Sequence, residues 1–215
     1  SADTLGSRSV AIGWGALRFQ NFTSAASTYN TAVGMNAGTS ITTGTQNALI
    51  GGLAGDALTD ADSNVAMGHS SLSTDTLGSR SVAIGASALE AQNFTSATNT
   101  YNVAVGTLAG AAVTTGINNT LIGGIAGDAI TTASSNTALG YFSLGGNSLA
   151  SANTAVGSGA LAAHNVGSLA QTFNVSVGYD SCNALTSGIR NTVMGALAGD
   201  ALTDADYNTA VGYGA

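Results

Sequence analysis

The chain has no proline and no lysine, a single cysteine, and only 7% charged residues. Its four basic side chains, Arg8, Arg18, Arg80 and Arg190, are scattered along 215 residues of net charge −7, so no basic patch marks nucleic acid as a partner. Cys182 has no second cysteine for an internal disulfide, which leaves the redox compartment open. No apolar run approaches the roughly 20 residues of a membrane span, so no membrane insertion is expected of this segment. No secretory leader is visible, although the chain starts in mid-pattern and a leader or anchor outside it is compatible with that. Low charge with abundant glycine, serine and asparagine also fits a disordered tract. What argues against disorder is phase.

A five-residue unit recurs twelve times, as in Asn64-Val65-Ala66-Met67-Gly68 and Asn102-Val103-Ala104-Val105-Gly106. It closes at Gly13, Gly34, Gly51, Gly68, Gly85, Gly106, Gly123, Gly140, Gly157, Gly178, Gly195 and Gly212, in steps of 21, 17, 17 and 17 residues that repeat every 72. Fixed periods of this size signal a stacked array, in which each unit buries its apolar side only against its neighbours. The reading is all-β: one continuous parallel β-solenoid over residues 1–215, twelve rungs of 17 or 21 residues, in three super-repeats of approximately 1–68, 69–140 and 141–215. Stacked at about 4.8 Å each, the rungs span roughly 58 Å.

Positions counted from the closing glycine carry the local argument. Position −1 is always aliphatic and position −3 always Val, Thr or Ala, so the two share one face of a strand. Position −2, on the other face, is Ala in eight of twelve copies, and position +3 is Ala or Ser throughout, which places +3 in a crowded interior. Two orientations follow. If −2 faces inward, −1 and −3 form an outward apolar stripe that needs copies of the chain to cover it, most simply around a three-fold axis. If −1 and −3 face inward, a single roll stands alone. The first is favoured. Position −4 is Asn30, Asn47, Asn64, Asn102, Asn119, Asn136, Asn153, Asn174, Asn191 and Asn208, with Ser in the other two copies, and a stacked amide there can bond to its equivalents and close the turn into the strand. The rest of a 17-residue rung, as in Ile41-Thr42-Thr43-Gly44 and Val113-Thr114-Thr115-Gly116, reads as a second short strand and a turn. The closing glycines suit corners of positive φ or close backbone approach.

Each 21-residue rung carries four extra residues, within Gln20–Ser24, Gln92–Ser96 and the altered His164–Ser168, which are expected to bulge from one edge and offer Arg18, Phe22, Glu90 and Phe94 to a partner. Tyr29, Tyr101 and Phe173 follow and are placed to brace the bulge. Cys182 stands where Gly38 and Gly110 stand in the other super-repeats and reads as a small packed residue. Ser1–Arg8 resembles the rung end Asp75–Arg80, and Gly212–Ala215 starts a further rung. Open rung ends of this kind favour end-to-end filaments.

Candidate chemistry is sparse. Asp56, Asp60 and Asp62, repeated as Asp200, Asp204 and Asp206, are candidate oxygen ligands for Ca²⁺ at a rung corner. The middle super-repeat keeps only Asp128, with Thr132 and Ser134 in the other places, which favours solvated turn acids over a required metal and leaves no cofactor expected. His69 and His164 lack a second metal ligand at suitable spacing and are expected on the surface or in turns. Gly51-Gly52-Leu53-Ala54-Gly55 is glycine-rich, but no lysine follows it to bind phosphate. No nucleophile–base set or carboxylate pair stands out, and no enzymatic activity is expected.

Ser9–Gly13 and Ser81–Gly85, each followed by Ala or Ser three residues on, resemble the head repeat of YadA-type trimeric autotransporter adhesins. Thr42–Gly51 is closer still to the repeats of phage tail-fibre and related bacterial surface-fibre proteins. The likeness covers the whole chain. It implies a left-handed parallel β-roll, three chains side by side, an extracellular, cell-surface or virion location, and adhesion to a host-surface glycan or protein. The rungs here are longer and carry regular insertions, and the segment has no coiled-coil stalk heptads. The expected function is a structural or adhesive fibre segment that associates with itself. An ice- or surface-binding solenoid is the alternative, on the strength of Thr31, Thr120, Thr137, Thr154, Thr192 and Thr209 at −3. A polysaccharide-degrading tailspike is less favoured.

Overall fold

A computed structural model describes residues 5–215, so Ser1–Thr4 and their likeness to the segment from Asp75 fall outside it. The described residues contain no helix and one parallel sheet of 12 strands, ordered along the chain from Val10–Ile12 to Thr209–Val211. Every strand occupies positions −3 to −1. Ala32 pairs with Leu49 and Ala104 with Leu121, so each column stacks on itself from rung to rung. This is a β-solenoid of about twelve turns.

The glycine corner holds the stack tight. Gly51 has φ +134°, and a Cβ there would lie 2.5 Å from the carbonyl oxygen of Gly68, the next corner glycine. A side chain is therefore excluded both by backbone conformation and by the neighbouring rung. Three further columns, at +2, +4 and −5, are left-handed in every rung that reaches them, and most of their residues are not glycine: Leu53 (φ 60°), Leu17 (φ 47°) and Ser135 (φ 61°) are examples. Such residues cost roughly 1–2 kcal/mol each in isolation. Here each sends its N–H to an adjacent rung: Leu53 to Met35 O at 2.9 Å, Leu17 to Ala37 O at 3.1 Å, Ser135 to Ile117 O at 3.0 Å. The twist that strains the backbone also aims its donors along the stack.

Position −2 faces inward, as favoured from the sequence. Ala32, Ala66, Ala83, Leu49 and Leu121 are fully buried, and the +3 column of Ala37, Ala54, Ala88 and Ala109 packs in the same core. A third buried column, at +7, supplies Ile41, Leu58, Val113, Ile130 and Leu185. Full burial of each large aliphatic contributes about 1.5–3 kcal/mol.

The −4 asparagines bond in two directions. Asn119 Oδ1 accepts from the backbone N–H of Asn136 at 3.0 Å, while Asn119 Nδ2 donates to Ala133 O at 2.9 Å, both in the next rung. The amides thus bond mainly to backbone, with amide-to-amide contacts such as Asn208 Nδ2 to Asn191 Oδ1 (2.9 Å) added at some steps.

The second strand expected at Ile41–Gly44 and Val113–Gly116 is absent. Ile41 enters the core, and Thr42 and Gly44 both donate to Thr59 O from a turn. Paired second strands occur only where the 21-residue rungs meet their predecessors: Gly6–Ser7 with Ala26–Ser27, Gly78–Ser79 with Thr98–Asn99, and Ala150–Ser151 with Ala170–Gln171. A 17-residue rung runs straight a second time only where the longer rung that follows supplies a strand to pair with it.

Candidate interaction surfaces

The outer face of the sheet is made by positions −3 and −1. Val10, Ile12, Ile50, Met67, Leu139, Met194 and Val211 are exposed there, and the other members of both columns are mostly half-buried by their neighbours. The result is an unbroken band of aliphatic and threonine side chains. At sheet spacing its two rows run roughly 55 Å, about 7 Å apart.

The 21-residue insertions correct one expectation. Phe22 and Phe94 are buried, 8% and 7% exposed, and are not offered to a partner. After each insertion the chain returns as a strand on the preceding rung, and in the first two the phenylalanine is drawn underneath; the N–H of Phe94 donates to Asp75 Oδ1 at 3.1 Å. Arg18 is exposed and lies over the rings of Trp14 and Phe19, at 6.0 and 5.3 Å. Glu90 is half-buried. Tyr29 and Tyr101 stack on the arginines of the rung before, Arg8 and Arg80, and Tyr207 does the same with Arg190 in two 17-residue rungs. These cation–π pairs sit in the −5 column and tie rung to rung.

The acidic turns are occupied by protein donors. Asp60 accepts from Thr42 and Thr43, which hold its carboxyl below the ordinary range. Asp62 Oδ1 accepts from the N–H of Thr45 at 2.7 Å, Asp206 Oδ1 from that of Ile189 at 2.8 Å, and in the middle super-repeat Ser134 Oγ takes the N–H of Ile117 at 3.0 Å. One job, capping a backbone donor of the preceding rung, is done by carboxylate or hydroxyl alike. Thr203 donates to Asp204, and Asp200 is exposed. Partial burial raises Asp56 and Asp128, each with one oxygen lacking a partner. Among the described residues no three His, Cys, Asp or Glu side chains converge as a metal site.

His164 is the second correction: it is fully buried rather than on the surface. It occupies the +7 column that holds Gln20 and Gln92 in the other long rungs. Gln20 and Gln92 accept from Asn30 and Asn102, and His164 Nε2 lies 3.3 Å from Asn174 Nδ2 and 3.2 Å from Thr172 Oγ1. Burial pushes the imidazole down to about 4, so it is neutral at pH 7. Asp75, beneath Gln92, is also buried and raised by desolvation, but its oxygens accept from Gln92 Nε2 (2.6 Å), Gly78 N (3.0 Å) and Phe94 N (3.1 Å). Cys182 is buried, and desolvation pushes its thiol up to about 11, which makes it unreactive near neutrality.

One feature went unread in the sequence. Position +1 is outward, and its column holds Trp14, Met35, Tyr141, Tyr179 and Tyr213, all strongly exposed. The signal was present as Gly-Tyr at three rung corners, and it shows once the column is read vertically.

No protein-family model matches the chain, and neither a curated protein nor a solved structure matches it significantly.

Proposed function

We propose that this chain is a segment of a structural, adhesive fibre that associates with copies of itself through the outer face of its sheet. The observation that carries the reading is the unbroken aliphatic column at position −1, from Ile12 to Val211, with valines, an alanine and threonines beside it at −3, all on the outer face of the sheet. Continuous apolar patches of several hundred Å² mark interaction surfaces. A band that repeats with the rung is matched most simply by the same band on another copy, around a closed axis. The rigid stack supplies length, and equivalent positions recurring along it supply many weak contacts that add as avidity. The resemblance to adhesin-head and tail-fibre repeats supports the same reading and an extracellular, cell-surface or virion location.

The threonines at −3 share this face, but the −1 column beside them alternates Ile, Val, Met and Leu. Such a surface suits side-chain packing better than a lattice match to ice.

Sedimentation of the intact protein with Ile84→Lys and Val105→Lys introduced at the middle of the band tests the reading. The lysines are expected to abolish association while the far-ultraviolet spectrum stays unchanged. Association unaffected by both charges would contradict it.

A further inference from the structure

In rungs 8 to 12 the +1 column reads Tyr141, Ser158, Tyr179, Ala196, Tyr213: a ring on every second rung with a small residue between. The ladder at this column is unbroken, because Gly159, Asp180, Leu197 and Gly214 donate in turn to the carbonyls of Tyr141, Ser158, Tyr179 and Ala196 at 2.9–3.0 Å. The 21-residue rung between Gly157 and Gly178 leaves the column in register, since its extra residues emerge on a different edge. The rings therefore stand about 9.6 Å apart along a straight line. All three are strongly exposed, at 63%, 59% and 81%. The Tyr141 ring reaches back over the preceding rung, with Cδ2 3.7 Å from where a Cβ on Gly124 would sit. Asp180 Oδ1 fills the space a side chain on Gly159 would take, which sets a carboxylate in the interval between Tyr141 and Tyr179. The carboxylate of Asp180 also raises the Tyr179 phenol above its ordinary value.

We infer that Tyr141, Tyr179 and Tyr213 form a linear binding site for an extended β-1,4-linked polysaccharide. In such a chain each sugar is turned over relative to the last, so every second sugar presents the same face, and the disaccharide repeat is close to the two-rung interval. The axial C–H face of a pyranose ring packs on an aromatic face, as apolar groups do on other π-systems. The hydroxyls of the intervening sugar find an acceptor in Asp180. A curved, α-linked glucan would meet one ring and leave the line. This inference names the ligand class for the adhesive part of the proposed function and rests on it. It uses a column around the glycine corner from the self-association band.

The test is native gel electrophoresis of the intact protein through gels containing soluble hydroxyethylcellulose or, as the α-linked counterpart, dextran. The cellulose derivative is expected to retard the wild-type protein and dextran to leave it unretarded. Tyr141→Ala and Tyr179→Ala are each expected to weaken retardation about tenfold, and the triple variant with Tyr213→Ala to abolish it. Because these side chains are exposed, the variants keep the wild-type circular dichroism spectrum. No retardation by hydroxyethylcellulose, equal retardation by dextran, or retardation surviving the triple substitution would overturn the inference. Sedimentation of the same samples separates the two readings. A wild-type protein that associates but is not retarded by hydroxyethylcellulose refutes only the glycan site, and a wild-type protein that is retarded but sediments as one chain refutes only the self-association band.

Discussion

Leu49 Cδ1 lies 2.6 Å from the place a Cβ on Gly38 would occupy, and Leu49 Cδ2 lies 2.8 Å from the equivalent place on Gly55. One leucine at −2 thus fills the space that two glycines at +4 leave open. In the rungs of Ala66 and Ala83, position +4 is instead Leu72 and Leu89, and the core is filled from the other wall. The third super-repeat strikes the balance differently: Val193 stands in place of Leu49 and Leu121, and Cys182 in place of Gly38 and Gly110. Val193 Cγ1 and Cys182 Sγ lie 3.3 and 3.1 Å from the Cβ position on Gly199.

That exchange predicts a coupled pair. Val193→Leu alone overpacks the site and is expected to cost about 1–3 kcal/mol. Cys182→Gly alone leaves a cavity but relieves a left-handed backbone (φ 49°), and is expected to cost about 1 kcal/mol net. The double variant recreates the arrangement around Leu49 and is expected to lie within about 1 kcal/mol of wild type. Denaturant titration of all four proteins gives the coupling energy, and simple additivity of the two single costs would contradict the packing account.

Acid should loosen the third super-repeat first. An unfolded histidine titrates near 6.5, and His164 in the fold near 4, so the unfolded state binds more protons between these values. The stability that His164 retains is fully present above about pH 6.5, falls as the pH drops, and levels off near 4, a loss of about 3 kcal/mol. Asp75 has the opposite sign, because its raised pKa favours the protonated fold and its contribution is lost as the pH rises through that value. Hydrogen exchange at pH 5 is expected to show faster opening around Thr172 and Asn174 than around the equivalent Thr100 and Asn102. His164→Gln, which restores the residue of the other long rungs, is expected to remove the difference. Equal protection of the two segments at pH 5 in the wild type would contradict it.

The amide ladder carries local stability. Asn119→Ala removes the acceptor for Asn136 N and the donor to Ala133 O, both buried. A cost of about 2–3 kcal/mol is expected, since the orphaned groups lose their partners out of reach of water. In a stack where rungs touch only their neighbours, the loss of hydrogen-exchange protection should centre on rungs 7 and 8 and fade within a few rungs. A uniform loss along the chain would instead show a single cooperative unit.

Backbone strain predicts a gain. Ala152 is a left-handed alanine, φ 61°, half-buried at position −5. Ala152→Gly is expected to stabilise by about 1 kcal/mol through relief of that conformation. Gly123→Ala is expected to prevent rung stacking, because its Cβ would collide with the carbonyl of Gly140. Thermal unfolding midpoints of the two variants should move in opposite directions.

Most of the architecture was legible because a solenoid writes each column at a fixed interval. The twelve glycines gave the corners, the alanine-rich −2 column gave the inward face, and the −4 asparagines gave the ladder. What stayed hidden lay in relations between columns. The exchange of bulk between −2 and +4 needs both walls of the core at once, and a scan of one column shows only an irregular mixture of Leu and Gly. His164 looked solvent-facing because its type is polar, whereas its column, shared with Gln20 and Gln92, points inward. Phe22 and Phe94 looked available because insertions usually bulge, but four extra residues were enough to form a strand and tuck the ring beneath it. The tyrosines at +1 were each ordinary turn residues until stacked.

The most direct test of self-association is sedimentation equilibrium of the intact protein at neutral pH and low micromolar concentration. The account predicts a species of at least twice the 20.8 kDa chain mass, reduced to one chain by lysine at Ile84 and Val105. A wild-type protein that sediments as a single 20.8 kDa chain, with its apolar band in water, would contradict it.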